Sequence, residues 1–230
     1  MEVRSVEAIV SALNKADAKY LIVGGLAVNA HGFVRLTRDV DIVLQLDPGN
    51  VSRGLSALFN IGYQMSIPAR PEDFANPETR EDWRQSKGMI TLKLWSDEHQ
   101  RTPIDIFVYE PFDFAKEFAT AMTVEVFPRL TRTCSFPGNI AKNEARRWPP
   151  AGFNRYRGVT EKSVKTLEPI KADWKWGSPE GSRELDRLLD RQLTFCEKLE
   201  WLEEAEALSL HLRANRESQS NDNYRQRGER

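Results

Sequence analysis

The sequence predicts an α/β (α+β) fold: a mixed sheet flanked by helices, with a C-terminal helical appendage. Three observations carry that expectation. Short apolar runs of strand length, bounded by Gly, Pro or polar turns, recur through residues 1–136. Between them lie stretches whose apolar residues repeat at helical spacing. After a segment broken by Pro, Gly and Trp, a charged stretch with a leucine stripe follows.

Val3, Val6, Ile9, Val10 and Leu13 fall on one face of an amphipathic first helix that ends near Asp17. Tyr20 to Val23 reads as a buried strand, closed by a tight turn at Gly24-Gly25. Leu26 to His31 then suits a short helix with Gly32 as its stop. Asp39 to Leu46 is a second strand. Asp47-Pro48 starts another helix, in which Val51, Leu55, Leu58 and Phe59 share a face. Gly88 to Trp95 and Pro103 to Tyr109 are strands separated by the polar turn Asp97 to Arg101, hence a hairpin or near neighbours. Thr123 to Phe127 adds one more strand.

Residues 137–181 carry Trp148-Pro149-Pro150, Gly152, Gly158, Pro169 and Trp174-Lys175-Trp176-Gly177, which interrupt any regular period. They read as an irregular linker with disorder. In residues 182–214, Leu185, Leu188, Leu189, Leu199, Leu202, Ala205, Leu208 and Leu212 restore a helical rhythm among many charges. That pattern is an amphipathic helical module whose stripe needs a partner surface, in this chain or in another protein. Residues 215–230 have no aliphatic side chain and are expected to form a disordered tail.

Composition narrows the function classes. With 33 Lys+Arg against 34 Asp+Glu, the chain lacks the basic coat of a general nucleic-acid binder. No apolar run approaches the roughly 20 residues of a membrane helix. The first residues mix acids, bases and aliphatics and show no leader pattern. Cys134 and Cys196 lack metal-type spacing and read as two thiols in a reducing cytoplasm. A soluble cytoplasmic protein is the expectation. His31, His99 and His211 have no partner at zinc-ligand spacing and read as surface residues. Neither a nucleophile elbow nor a Walker-type phosphate loop occurs.

The chemistry lies in Arg38-Asp39-Val40-Asp41-Ile42-Val43-Leu44. Side chains alternate along a strand, so Asp39 and Asp41 share one face while Val40, Ile42 and Leu44 pack on the other. Carboxylates about 7 Å apart along a strand repel each other and are costly where water is scarce. A divalent cation such as Mg²⁺ or Mn²⁺, which takes hard oxygen ligands, answers that repulsion. In Pro103-Ile104-Asp105-Ile106-Phe107-Val108, Asp105 alternates with apolar residues and supplies a third acid if the two strands are neighbours. Taken singly, each acid also suits a solvated strand end.

Ahead of this segment stand Ile22-Val23-Gly24-Gly25-Leu26-Ala27 and Arg35-Leu36-Thr37-Arg38. A Gly-Gly turn between strand and helix lets backbone approach a phosphate. Together, the strand, glycine turn, short helix and Thr-x-Asp-hydrophobic-Asp run resemble the nucleotidyltransferase fold of the DNA polymerase β type. They look most like minimal nucleotidyltransferases and the nucleotidyltransferase-like toxins of abortive-infection and toxin–antitoxin systems. The resemblance covers roughly residues 1–136. It maps the family's turn to Gly24 and Gly25, its acid pair to Asp39 and Asp41, and its third acid to Asp105.

The resemblance implies transfer of a nucleoside monophosphate from a nucleoside triphosphate to a hydroxyl of a protein, RNA or small molecule. Asp39 and Asp41 would then be metal ligands, and Asp105 a ligand or the acceptor's general base. Gly24 and Gly25 would admit the triphosphate, and Thr37 and Arg38 would contact phosphate. Arg38 reads equally well as a charge-balancing neighbour. Lys93 shares a strand face with Thr91 and Trp95, within reach of a phosphate, but reads first as an exposed lysine. Trp174 and Trp176 suit base stacking or, more simply, packing on the following helix. The alternative function is a catalytically inactive binding protein on the same scaffold, either one half of a toxin–antitoxin pair or a degenerate copy.

Relatives of this kind carry, after the catalytic sheet, a helix with Lys or Arg followed by Arg-x-x-Asp, and no such pattern follows Phe136. A shifted reading frame would account for this. Read one base forward, the codons of Asn143 to Val159 permit Met-Lys-Arg-Ala-Ala-Gly-Arg-Pro-Gln-Asp-Leu-Ile-Asp-Ile-Glu-Glu-Leu. Trp148 before Pro149 must then give Gly, and Phe153 before Asn154 must give Leu or Ser; both agree. Residues 140–170 would be poorly ordered in that case.

Overall fold

The computed structural model describes residues 1–31, 37–127, 130–136, 170–194, 197–198 and 200–212, with only the backbone described for 124–127 and 130–136. It has the expected mixed α/β, or α+β, architecture around a five-stranded mixed sheet.

Helix α1 (Val3–Lys15) buries Val6, Ile9, Val10 and Leu13, as their spacing predicts. Strand β1 (Tyr20–Val23) runs directly into α2 (Gly24–Ala30), so the glycine pair forms the first turn of the helix instead of a separate turn before it. Strand β2 is Val40–Leu44. Helix α3 (Pro48–Phe59) is capped by Asp47, whose carboxylate accepts from the Asn50 amide, with Pro48 in the first turn where no intrahelical N–H is needed.

Strand β3 (Gln64–Met65) and helices α4 (Pro71–Ala75) and α5 (Pro77–Lys87) were not legible in the periodicity. The helices are short and open on prolines. Helix α5 is set by its ends, with Asn76 accepting from two amides at the start and Gly88 at φ +63° at the stop. Strands β4 (Thr91–Trp95) and β5 (Ile104–Phe107) form the expected antiparallel pair. After α6 (Phe114–Ala119), β6 (Met122–Phe127) and β7 (Leu130–Phe136) form a two-stranded antiparallel ribbon. The strand expected at Thr123 therefore exists but pairs outside the main sheet.

The sheet order is β1-β2-β5-β4-β3, with β2 parallel to β5 and the other pairs antiparallel. Ile22, Val40, Ile42, Leu44, Leu92, Leu94, Ile104 and Ile106 join side chains of α1 to α5 in one large buried core. Leu21, Val23 and Val43, which alternate with them, form a smaller cluster with Phe114 on the other face.

A 3₁₀ turn (Trp174–Gly177) leads into α7 (Pro179–Gln192), and residues 200–212 form α8. Much of the stripe expected to seek a partner surface is buried within the chain: Leu185, Leu189, Ala205, Leu208 and Leu212 are buried, Leu208 and Leu212 belong to the main core, and Trp201 packs against it. Of the linker expected at 137–181, residues 170–181 are ordered instead, holding the 3₁₀ turn and the start of α7; the rest of it, the shifted-frame reading and the tail at 215–230 lie outside the described residues, as does Cys196. Among the described residues, no helix is long and apolar enough to cross a membrane.

A candidate metal centre at the junction of β2 and β5

Register places the site. Asp41 is the pairing partner of Asp105 across the parallel β2–β5 ladder, and Asp105 is the partner of Lys93 across β5–β4. Paired residues point to the same side of a sheet. The side chains of Asp41, Asp105 and Lys93 thus form a row on the face opposite the main core, and Asp39 joins them by the two-residue period. Carboxylate oxygens of Asp39, Asp41 and Asp105 lie within 4.8 Å of one another. The convergence that the alternation predicts is present.

The three acids differ in surroundings. Asp39 and Asp41 are partly accessible, whereas Asp105 is 8% exposed. Burial pushes the Asp105 carboxyl up to about 6; Lys93 opposes that shift, and Asp39 and Asp186 reinforce it. Its Oδ2 accepts from Lys93 Nζ at 3.0 Å, while Oδ1 is buried with no hydrogen-bond partner. A buried carboxylate oxygen without a donor is costly, and a hard cation satisfies it. The donor set, all carboxylate oxygen, fits Mg²⁺ or Mn²⁺.

Lys93 corrects a sequence expectation. It is 1% exposed, not a surface lysine, and binds Asp105 at 3.0 Å and Asp186 at 2.9 Å. Burial disfavours its charge, but the carboxylates of Asp105, Asp186 and Asp39 outweigh that and raise its pKa, so it stays protonated. A lysine between apolar strand residues gives no hint of burial on its own. The pairing to Asp105 exists only once β4 and β5 are in register.

The neighbouring residues are placed by the acids. Thr37 is buried, and its hydroxyl donates to Asp39 Oδ1 at 3.1 Å. A Cβ on Gly24 would lie 1.9 Å from Asp41 Oδ2, and one on Gly25 would lie 2.3 Å from Thr37 Cβ. Gly24 also holds φ +63°. Both glycines are therefore required by the close approach of site side chains, quite apart from any phosphate. Arg38 is engaged by α7: Nη1 lies 2.7 Å from Asp190 Oδ2 and donates to the Asp186 carbonyl at 2.8 Å.

Asp186 and Asp190 were missed by the sequence reading. A signal was present, since they stand four residues apart, each directly after a stripe leucine, Leu185 or Leu189. Acids bordering an apolar stripe mark a face that meets both core and cations. The histidine reading also needs correction at one position: His31 is buried, while His99 stacks on Tyr63 at 5.3 Å and shares a hydrogen bond with Ser5. Trp176 packs on Leu185 and Leu189, the simpler of its two readings.

No family model matches this chain, and no curated protein matches it.

Proposed function

We propose that this protein is a metal-dependent nucleotidyltransferase that transfers a nucleoside monophosphate from a nucleoside triphosphate to a hydroxyl group. The observation that carries the reading is the cluster of Asp39, Asp41 and Asp105 within 4.8 Å, with one buried carboxylate oxygen lacking a donor. Asp39, Asp41 and Asp105 would hold Mg²⁺ or Mn²⁺. When bound, such ions neutralise phosphate charge and favour both the attacking and the leaving oxygen.

The chain's own groups have assigned parts. Lys93 fixes Asp105 through Oδ2 and leaves Oδ1 for a cation or for the acceptor's proton. Thr37 orients Asp39. Gly24 and Gly25 let the backbone lie against Asp41 and Thr37, which holds those side chains in the site. Arg38 stands beside the acids as the phosphate contact. In the transfer, the acceptor oxygen bonds to the α-phosphorus, the bond to the bridging oxygen breaks, and pyrophosphate leaves with its electron pair. The acceptor is a protein, RNA or small molecule, as in the toxin–antitoxin relatives that the sequence resembles.

The test is to offer each of the four labelled ribonucleoside triphosphates with Mg²⁺ and a cell lysate. Label transfer or pyrophosphate release is expected, and Asp39→Ala or Asp41→Ala should abolish it. Well-folded protein with neither metal binding nor turnover would instead favour the inactive binding scaffold.

A further inference from the structure

We infer that helix α7 is a built-in competitor for the triphosphate: it sets two carboxylates on the cations that the substrate's phosphates would use. This rests on the nucleotidyltransferase reading. Asp186 binds Lys93 at 2.9 Å and Asp190 binds Arg38 at 2.7 Å, while the Asp186 carbonyl takes a further hydrogen bond from Arg38. Among the described residues, the two cations seen beside the acid cluster are thereby held by one helix.

Charge argues that α7 and the substrate exclude each other. With α7 docked, Lys93 is shared between Asp105 and Asp186, and Arg38 is held by Asp190. The phosphates of a bound triphosphate and the carboxylates of α7 compete for these same two cations, so the helix withdraws when the phosphates take them. Arg38 also keeps Nη2 buried with no acceptor while α7 is docked. A phosphate, with more oxygens than one carboxylate offers, would satisfy that donor.

Packing argues that the helix can withdraw. Leu185 and Leu189 group with Trp176 in a small cluster of their own, and among the described residues no side chain of α7 joins the main core. Its contacts to Lys93 of β4 and to Arg38 are ion pairs and a hydrogen bond, and an element outside the main core opens at lower free-energy cost than one within it.

The test uses the full chain, Mg²⁺ and inorganic tripolyphosphate as a base-independent probe, with affinity read by calorimetry and opening by hydrogen exchange over residues 179–192. Asp186→Asn/Asp190→Asn should bind the probe about tenfold tighter than the parent. Leu189→Asp, which loosens the helix without touching either ion pair, should shift affinity the same way. In the parent, the probe should speed exchange in 179–192. Equal or weaker binding by both variants, with the parent still binding, would overturn the inference and leave the nucleotidyltransferase reading standing. No binding by any of the three proteins would remove both.

Discussion

Lys93 Nζ lies 3.0 Å from Asp105 Oδ2, and the two residues are direct partners in the β4–β5 ladder. The pair sits on the face of the sheet that also presents Asp41, so a structural ion pair and the acid cluster share one carboxylate. Removing the lysine leaves a buried acid without its counter-charge. Lys93→Met is expected to lower unfolding stability by about 3 kcal/mol, with most of the loss restored in Lys93→Met/Asp105→Asn. Urea denaturation of the four proteins in the cycle checks this; additive losses would show that the pair is not coupled.

Asp105 gives the site its pH dependence. Its carboxyl titrates near 6 in the native state against an ordinary 3.8, so between those values the native state binds more protons than the unfolded one. Its contribution to stability in metal-free protein therefore falls as pH rises through that window and is level above it. Unfolding free energies of the parent minus those of Asp105→Asn should decline from pH 4 to 6 in EDTA. Mg²⁺ affinity should move oppositely, rising over the same interval, because the cation needs the ionised form. Flat profiles in both measurements would contradict the burial of this acid.

Gly24 is a second point of leverage. Alanine there must adopt φ +63° and place Cβ 1.9 Å from Asp41 Oδ2, so Asp41 has to move. Gly24→Ala should lose at least about tenfold in Mg²⁺ affinity and about 1–3 kcal/mol in stability. Gly88→Ala is the control: it carries the same positive φ, but its Cβ would meet nothing within 4 Å. It should cost stability and spare the metal.

The coding DNA makes a separate prediction. Read one base forward, the codons of Asn143 to Val159 should spell the Lys/Arg helix with its Arg-x-x-Asp, including Gly at the Trp148–Pro149 step. Nucleotide sequencing decides this, and codons that spell any other string end the shifted-frame explanation.

How much of this was legible in the sequence depends on range. Strands β1, β2, β4 and β5 and helices α1 and α3 follow from local periodicity and capping, and the acid cluster follows from alternation once β2 and β5 are neighbours. Helices α4 and α5 are too short and polar for a period to register, and their prolines and caps are the only markers. The burial of Lys93 depends on register with β5 and on Asp186, 93 residues further along the chain, neither of which a local window contains. The role of α7 was hidden for the same reason: its leucines announce a helix, but only tertiary structure shows that its acids meet Arg38 and Lys93.

The most direct measurement is anomalous scattering from crystals soaked in Mn²⁺. A peak is expected between the carboxylates of Asp39, Asp41 and Asp105, lost in Asp39→Asn/Asp41→Asn crystals of the same form. A map with no peak there in well-diffracting, saturated crystals would contradict a metal centre, and with it the transfer chemistry proposed for this protein.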